Sequence, residues 1–335
     1  MKKRICIIHT GGTIGMIKTA HGYAPKKGFM KQALSAIQEL NSEEMPSYDY
    51  IEYDPLLDSS DVSVKEWVKI AKDIEERYHM YDGFVILHGT DTMAYTASAL
   101  SFMLDGLSKP VILTGSQIPL SEIRNDGRDN IITALLIAAN YNIPEVCLYF
   151  GSKLMRGNRA TKISSDHLIA FDSPNYPFLA EVGVNIEVKN KLIRPTKGDF
   201  KVRIFDKRQI AVLKIFPGIQ WEVFESLMTS HLKGFVIEAL GAGNLPKADH
   251  ILQGLLKRAK ENDTIIVVCT QCLKGSAVIG QYEASSTLSQ AGAVSGYDMT
   301  VEAAVTKLDY LLSLYDDVET VKRLMETNLR GELTK

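Results

Sequence analysis

Short, largely apolar runs alternate along the chain with longer stretches whose apolar positions recur at helical spacing. In the first half the strand candidates lie at 5–8, 50–53, 84–88, 111–114 and 145–150. Apolar runs bounded by small residues are typical of parallel strands covered on both faces. The stretches between them predict helices over 28–40, 93–104 and 130–141, and one more that begins with a capping box formed by Ser63 and Glu66. This alternation predicts an α/β fold with a larger N-terminal, doubly wound, mostly parallel sheet domain.

The pattern changes around residues 183–209, where charged and apolar positions alternate, as in an antiparallel hairpin or a linker. Beyond that point, apolar runs predict three strands at 211–215, 234–238 and 264–268, and helices at about 247–260, 301–314 and 317–328. The chain is therefore predicted to have a catalytic α/β domain over 1–190, a linker over 191–210 and a smaller C-terminal α/β domain over 211–335.

Composition narrows the possible partners. The 335 residues are 45% hydrophobic and 23% charged, with a formal net charge of −2, which is ordinary for a globular protein and gives no electrostatic basis for nucleic-acid binding. No apolar run approaches the roughly 20 residues of a membrane span, and the apolar run after Lys2-Lys3-Arg4 is too short for a signal peptide. We therefore expect a cytoplasmic protein that binds neither nucleic acid nor membrane.

The four cysteines do not form a disulfide framework in a chain of this length. Cys269 and Cys272 make a CxxC motif, but no second CxxC and no histidine pair at zinc spacing accompanies it. We interpret the pair as buried thiols at a strand end, and we predict no metal site.

Three of the predicted strands end in turns of small, hydroxyl-bearing residues, which are 10–15, 89–92 and 115–117. Gly11 and Gly12 would let the backbone approach a small ligand, Gly15 could take a φ that other residues resist, and Thr13 would present its hydroxyl there. The glycine spacing does not match the dinucleotide fingerprint, and a tight strand-to-helix turn is the ordinary alternative.

Charged residues near these turns supply what a hydroxyl nucleophile needs. Asp91 adjoins Thr90, and Lys162 lies in a polar loop after the strand at 145–150. A desolvated lysine can act as the base that activates a hydroxyl, so Thr90, Lys162 and Asp91 are chemically sufficient for that task. The segment 19–25, which contains Tyr23 and is punctuated by Gly and Pro, is a candidate flexible lid. His9 and His88 could be general bases, but both follow buried strands and fit strand-end hydrogen bonding better.

Two of these turns carry a family resemblance. Residues 10–15 (TGGTIG) and 88–92 (HGTDT) together resemble the paired signature of the bacterial-type L-asparaginases. The stretch 82–96 (DGFVILHGTDTMAYT) and the ending at 328–333 (NLRGEL) are most similar to the cytosolic type I group. The resemblance runs through nearly the whole chain. It implies hydrolysis of L-asparagine to L-aspartate and ammonia without metal or organic cofactor.

The resemblance also implies roles for single residues. Thr13 would attack the side-chain amide, Tyr23 would close the site over that hydroxyl, and Thr90, Asp91 and Lys162 would form a second catalytic cluster. Ser59 would bind the substrate α-carboxylate and Asp91 its α-ammonium, while Ser60 stands where extracellular relatives often have Gln. The implied substrate-binding set is Asp58, Ser59, Ser60, Gly89, Thr90, Asp91 and Ser116. Which of Thr13 and Thr90 carries the acyl group stays open at this point.

Three alternatives to a dedicated asparaginase remain. A dual asparaginase/glutaminase is the nearest, since one methylene in a pocket discriminates by only about 10- to 200-fold. Amidotransferases acting on charged tRNA share the motifs but carry an added N-terminal domain, whereas the first strand here begins at Ile5. A non-catalytic amino-acid-binding protein would not need all five catalytic residues.

Assembly and regulation come from the resemblance alone. It implies a homotetramer, a dimer of dimers. Some type I members bind a second asparagine as activator through an Arg at the position where this chain has Glu238, so we predict weak or absent activation of that kind. Asn244, in a Gly-Asn loop, could be structural or functional.

Overall fold

A computed structural model of the chain describes residues 2–247, 249–280 and 286–335. It divides into two compact units, Met1–Ile204 and Phe205–Lys335. The point of division falls inside the predicted linker 191–210. Each unit is an α/β structure with its own sheet, so the predicted class, a larger N-terminal and a smaller C-terminal α/β domain, is confirmed.

Over residues 2–204 the first unit has fourteen strands and four α-helices. The strands are β1 (Arg4–Gly11), β2 (Met16–Thr19), β3 (Gly22–Pro25), β4 (Ser47–Leu57), β5 (Gly83–Leu87), β6 (Leu104–Asp105), β7 (Val111–Thr114), β8 (Val146–Phe150), β9 (Lys153–Arg156), β10 (Thr161–Lys162), β11 (Phe171–Asp172), β12 (Ala180–Val182), β13 (Ile186–Val188) and β14 (Lys201–Val202). The helices are α1 (Phe29–Ala36), α2 (Val64–Arg77), α3 (Met93–Met103) and α4 (Gly127–Asn140).

The main sheet of the first unit has the order β13-β12-β9-β8-β7-β5-β1-β4. Its strands from β8 to β4 run parallel, and β9, β12 and β13 are added antiparallel at one edge. Numbered along the chain, the parallel strands lie in the order 2-1-3-4-5, so the strand order reverses between β1 and β5. In such open sheets a ligand binds beyond the carboxyl ends of the strands at this reversal.

The parallel strands are buried as their apolar runs predict. Every residue of β5, β7 and β8 is buried, and β1 is buried from its second residue onward. One core joins the strand side chains of β1, β5 and β7 to α1 and α4. Helix α2 begins with the predicted capping box of Ser63 and Glu66, which is confirmed.

Two connecting segments are more regular than the sequence indicated. The predicted flexible segment 19–25 belongs to an antiparallel hairpin of β2 and β3, in which Lys18 is paired with Tyr23. The change of pattern after residue 183 corresponds partly to the antiparallel pair β12 and β13, and β14 pairs with the short strand β6. Alternating charged and apolar positions are compatible with such edge strands, because one face of each stays in contact with water.

The second unit has a parallel sheet in the order β15-β16-β17-β18 among the residues described. Its strands are β15 (Ile210–Lys214), β16 (Gly234–Ala239), β17 (Ile265–Thr270) and β18 (Val294–Ser295), and its helices are α5 (His250–Glu261), α6 (Ser286–Gln290), α7 (Val301–Leu314) and α8 (Val318–Met325). The three predicted strands and three predicted helices are present. The two-residue strand β18 and the short helix α6 were not predicted, because neither is long enough to show a period.

The interpretation of the CxxC pair is half wrong. Cys269, at the end of β17, is buried, but Cys272 is exposed, and both are free thiols. Cys272 lies two residues past the last strand position, where the Thr270 hydroxyl accepts its backbone N–H at 3.0 Å. Among the described residues, no group of three or more His, Cys, Asp or Glu side chains is placed to hold a metal ion. In the same part of the chain, no helix is both long and apolar enough to cross a bilayer.

Candidate active site

The predicted functional turns follow the carboxyl ends of neighbouring parallel strands. Thr13 opens a 3₁₀ turn after β1, and Ser59 opens another after β4. Thr90 and Asp91 follow β5, and Ser116 follows β7. Since β4, β1, β5 and β7 are adjacent in that order, these turns meet at the reversal of strand order.

Gly11 and Gly12 let the turn after β1 pack closely against neighbouring backbone. A Cβ on Gly12 (φ 92°) would lie 2.4 Å from the backbone nitrogen and Cα of Gly89, and a Cβ on Gly11 (φ 141°) would lie 2.1 Å from the Leu57 carbonyl oxygen. These glycines therefore allow the turn after β1 to contact backbone after β5 and at the end of β4. The contact brings the backbone next to Thr13 against the backbone next to Thr90.

Gly15 does not have the unusual φ that the sequence analysis gave as the reason for a glycine there. Gly15 is not among the residues with positive φ. A Cβ there would instead lie 2.7 Å from the His9 ring, which is wholly buried beneath this turn. Glycine is needed at this position because the His9 ring leaves no room for a Cβ, and not because of the backbone conformation.

Thr90, Asp91 and Lys162 form one hydrogen-bonded cluster, as the sequence predicts. The Lys162 ammonium donates to Thr90 Oγ1 at 2.9 Å and to Asp91 Oδ1 at 2.7 Å. The Lys162 side chain is 21% exposed and that of Asp91 63% exposed, so the carboxylate is open to solvent. Lys162 reaches the cluster from β10, which pairs with β11 in a separate small hairpin.

Ser59 lies beside Gly89, which is in the turn after β5. The two residues that flank Ser59, Asp58 and Ser60, are hydrogen-bonded to each other. A Cβ on Gly89 would be 2.4 Å from Ser59 Oγ, and the Thr92 hydroxyl donates to the Ser59 carbonyl at 2.7 Å. The Asp58 carboxylate accepts from the backbone N–H and the hydroxyl of Ser60, at 3.0 and 2.9 Å, and caps the 3₁₀ turn. Asp58 and Ser60 thus shape the turn that presents Ser59.

The turn after β7 contains residues that the sequence analysis missed. The buried Ser116 hydroxyl donates to the Ile118 carbonyl at 2.6 Å, so Ser116 braces its own turn. Gln117 Oε1 accepts the Thr90 hydroxyl at 3.2 Å. The Asp126 carboxylate, before α4, accepts the backbone N–H groups of Gln117 and Ile118. The available signal was the turn sequence Gly115-Ser116-Gln117, but only the fold shows which neighbour the Gln side chain meets.

Tyr23 is not hydrogen-bonded to the turn of Thr13. It is 49% exposed on β3, and its hydroxyl donates to Glu122 Oε1 at 2.8 Å, which raises the pKa of the Tyr23 phenol. The two residues before Glu122, Leu120 and Ser121, contact the chain where the β2–β3 hairpin begins. The Leu120 N–H donates to the Ile14 carbonyl at 3.2 Å, and the Ser121 hydroxyl donates to the Met16 carbonyl at 3.0 Å. The Thr13 hydroxyl makes no hydrogen bond within the described chain and is half-buried.

Both histidines act as buried hydrogen-bonding groups, as we expected. His9 Nδ1 lies 2.9 Å from the Tyr50 hydroxyl, and His88 Nε2 lies 3.0 Å from the Thr96 hydroxyl. Burial lowers the pKa of each imidazole to about 4. They are therefore neutral at neutral pH, and His88 Nδ1 lies 2.7 Å from the Gly89 carbonyl oxygen.

The arrangement offers one unbonded hydroxyl, a hydroxyl bonded to an ammonium, and a carboxylate at the rim. A carboxylate near hydroxyl and backbone N–H donors is suited to a ligand with separate cationic and anionic groups. A lysine in hydrogen-bond contact with a hydroxyl can act as its base once the ammonium has given up a proton. The geometry therefore supports covalent or water-mediated attack on a small zwitterion.

Comparisons with known proteins match nearly the whole chain to one group of proteins. The family model described as asparaginase, N-terminal, matches residues 4–194, and the glutaminase/asparaginase C-terminal domain matches residues 209–325. The chain is 47% identical to L-asparaginase 1 of Escherichia coli K12, over 99% of this chain and 98% of that protein. The crystal structure of L-asparaginase I from Vibrio cholerae superposes with a TM-score of 0.92 at 46% identity and covers all of both chains. The thermostable L-asparaginase from Thermococcus kodakarensis gives 0.90 at 33% identity, over 99% of both chains.

Proposed function

The chain belongs to the asparaginase family, and from that premise we propose that it hydrolyses L-asparagine to L-aspartate and ammonia by way of an acyl-enzyme on Thr13. The observation that carries the proposal is the convergence of Lys162 Nζ on Thr90 Oγ1 and Asp91 Oδ1, at 2.9 and 2.7 Å, beside the turn that presents Thr13. It supplies two hydroxyls, a base and an anchor for an ammonium group at one sheet reversal.

Substrate recognition uses the fixed charges of an amino acid. The Asp91 carboxylate pairs with the α-ammonium, and Ser59 donates to the α-carboxylate. Asp58 and Ser60 hold the 3₁₀ turn of Ser59 in place. This arrangement directs the side-chain amide of asparagine toward Thr13.

In the first step, the Thr13 oxygen bonds to the amide carbon while the C–N bond breaks. The hydroxyl proton goes to the leaving nitrogen, which departs as ammonia. In the second step, water adds to the ester, the Thr13 oxygen regains a proton, and aspartate leaves. The Thr90 and Lys162 pair polarises the attacking water. Backbone N–H groups of the turns at 90 and 116 are the donors we propose for the oxyanion, and losing one such donor typically costs about 10²- to 10³-fold in turnover.

Tyr23 closes the site in this scheme by exchanging partners. In the structure its hydroxyl is bonded to Glu122 and its ring is exposed. We propose that substrate binding moves the β2–β3 hairpin so that the hydroxyl leaves Glu122 and reaches Thr13. A short hairpin held by few exposed contacts is suited to such a movement.

The direct test is ammonia release from L-asparagine and, in parallel, from L-glutamine. We expect turnover with asparagine and at least about tenfold lower kcat/KM with glutamine, since the longer side chain places its amide one methylene away from Thr13. Comparable rates would favour the dual asparaginase/glutaminase. Tight binding of asparagine without any ammonia would favour the non-catalytic binding protein and overturn the proposal.

Glu238 leads to a prediction about kinetics. Its carboxylate lies on β16, 3.9 Å from Lys214 Nζ. A carboxylate cannot form the bidentate pair that a guanidinium makes with an effector's carboxylate, and it repels that anion. We expect initial rates to rise hyperbolically with asparagine concentration, with a Hill coefficient near one. Strongly sigmoidal rates, with a Hill coefficient approaching that of an allosteric tetramer, would contradict this expectation.

Three further proposals rest on the family resemblance. The protein is proposed to act as a homotetramer, in the cytoplasm and without metal or organic cofactor. The oligomeric state is measured by light scattering at the concentration used for the assay. Retention of activity after dialysis against a chelator tests the absence of a metal requirement.

A further inference from the structure

We propose that Gln117 is a positioning residue of this site, which orients the Thr90 hydroxyl and ties the turn after β7 to the hairpin that carries Lys162. The inference rests on the proposed function, because it assigns Gln117 a task in the activation of Thr90. It names a residue that neither the motifs nor the charge pattern of the sequence indicated.

The direction of each hydrogen bond around Thr90 follows from the donors and acceptors present. The Lys162 ammonium has only donors, so Thr90 Oγ1 must accept from it at 2.9 Å. The single Thr90 proton is then free to be donated, and Gln117 Oε1 accepts it at 3.2 Å. The amide nitrogen of Gln117 donates in turn to the His167 carbonyl at 3.2 Å. The network admits one orientation of the amide group, with its oxygen facing Thr90.

Gln117 is itself held in place through its main chain. Its backbone N–H donates to both oxygens of the Asp126 carboxylate, at 3.1 and 3.0 Å. Asn130 Nδ2, one turn into α4, donates to the Gly115 carbonyl at 3.0 Å. The main chain of this turn is therefore held by the first turn of a helix, and the side chain projects from a rigid base toward Thr90.

The Gln117 side chain also bridges Thr90 to the loop that contains His167. His167 lies in the loop between β10 and β11, and its N–H donates to the Ser164 hydroxyl at 3.0 Å. The loop is closed by the Ile163 N–H, which donates to the Ala170 carbonyl at 2.8 Å. Through the His167 carbonyl, Gln117 thus contacts the hairpin that positions Lys162. Losing the bridge would let the distance between Lys162 and Thr90 vary, and small misplacements of reacting groups have large effects on rate.

Two substitutions separate positioning from mere packing. Gln117→Met keeps the length and volume of the side chain but removes the acceptor and the donor. Gln117→Glu keeps an acceptor for Thr90, removes the donor to His167 and adds a negative charge. The Glu variant therefore retains the acceptor that orients the Thr90 proton, whereas the Met variant does not.

For the Met variant we expect kcat to fall about 10- to 100-fold, while KM stays within roughly twofold and the melting temperature is unchanged. For the Glu variant we expect kcat to stay at least about threefold above that of the Met variant, because an acceptor for the Thr90 hydroxyl remains. Gln32→Met, on the exposed face of α1, makes the same change away from the site and should leave kcat unchanged.

The outcomes are distinct. A Met variant with kcat within twofold of the parent, or a Glu variant no more active than the Met variant, would overturn the role of Gln117 and leave the proposed function intact, provided that Thr90→Ala abolishes turnover. If the Met variant does not fold, Gln117→Ala, which also lacks the acceptor and the donor, takes its place in the same comparison. A parent protein that releases no ammonia from asparagine would overturn the proposed function and this inference with it.

Discussion

Thr13→Ala is expected to lower asparagine turnover by at least about 10³-fold, because it removes the oxygen that forms the ester while leaving the rest of the site in place. The Thr13 hydroxyl is unbonded within the described chain and half-buried, so its loss leaves no buried group without a partner. Folding should therefore be unaffected. The measurement is ammonia release under saturating asparagine, with the melting temperature recorded in parallel.

Thr13→Ser is the matched control, since it keeps a hydroxyl at the same position and should retain measurable turnover. Rapid acid quenching followed by peptide mass analysis should find the aspartyl group on the peptide that contains Thr13. Thr90→Ala is also expected to be severely impaired, but through loss of the hydroxyl that Lys162 contacts. If Thr13→Ala kept near-full turnover while Thr90→Ala abolished it, the roles of the two threonines would have to be exchanged.

Lys307→Met is expected to destabilise the second unit by about 3–5 kcal/mol, because it leaves the Glu332 carboxylate buried without its cation. Lys307 Nζ lies 2.6 Å from Glu332 Oε1, and both side chains are 0% exposed. The ammonium also donates to the carbonyls of Met325 and Thr327, at 2.8 and 2.7 Å. The nearby cation, with the backbone N–H groups of Leu329 and Arg330, holds the pKa of Glu332 below its usual value despite burial. The pair therefore attaches the C-terminal segment to α7.

The two tryptophans allow this effect to be assigned to one unit. Trp67 lies in the first unit and Trp221 is buried in the core of the second. In a Trp67→Phe background, the fluorescence of Trp221 during urea unfolding reports on the second unit alone. Two units make a single unfolding free energy for the whole chain unsuitable.

An exposed pair serves as the control for Lys307→Met. Glu319→Gln removes the partner of Lys322, at 3.0 Å, from a carboxylate that is 80% exposed. It should cost less than about 1 kcal/mol. Adding Glu332→Gln to Lys307→Met should recover part of the lost stability, because a neutral amide is less costly to bury than an unpaired charge. A loss below 1 kcal/mol for Lys307→Met would show that the ion pair contributes little.

The positions of the strands along the chain were predictable because strands buried on both faces are apolar in composition. The runs at 84–87 and 111–113 are apolar throughout, and every residue of β5 and β7 is buried. The hydroxyl turns that follow them could be located for the same reason. Helix α7, predicted at 301–314, has those bounds in the structure because Thr300 caps it and its apolar positions are periodic.

The use of individual turn residues was less predictable. Gly15 is needed because of the His9 ring, and Gly12 because of the backbone at Gly89. These partners come from elsewhere in the fold, up to 77 positions away in the case of Gly89. In the sequence Gln117 is an ordinary turn residue, and only the structure shows that its side chain contacts Thr90. Periodicity reports which face of an element is buried, and it carries no information on which turn meets which.

By itself the sequence determined the class of fold, the positions of the reactive turns and, through the paired motifs, the family, because burial and local chain geometry leave a direct trace in residue order. Tertiary structure alone decided the strand order 2-1-3-4-5, which brings the turns of Thr13 and Thr90 together at one reversal. It also decided that Lys162, 72 residues from Thr90, donates to that hydroxyl. The physical reason is that a hydrogen bond depends on distances of about 3 Å in space, and separation along the chain does not specify them.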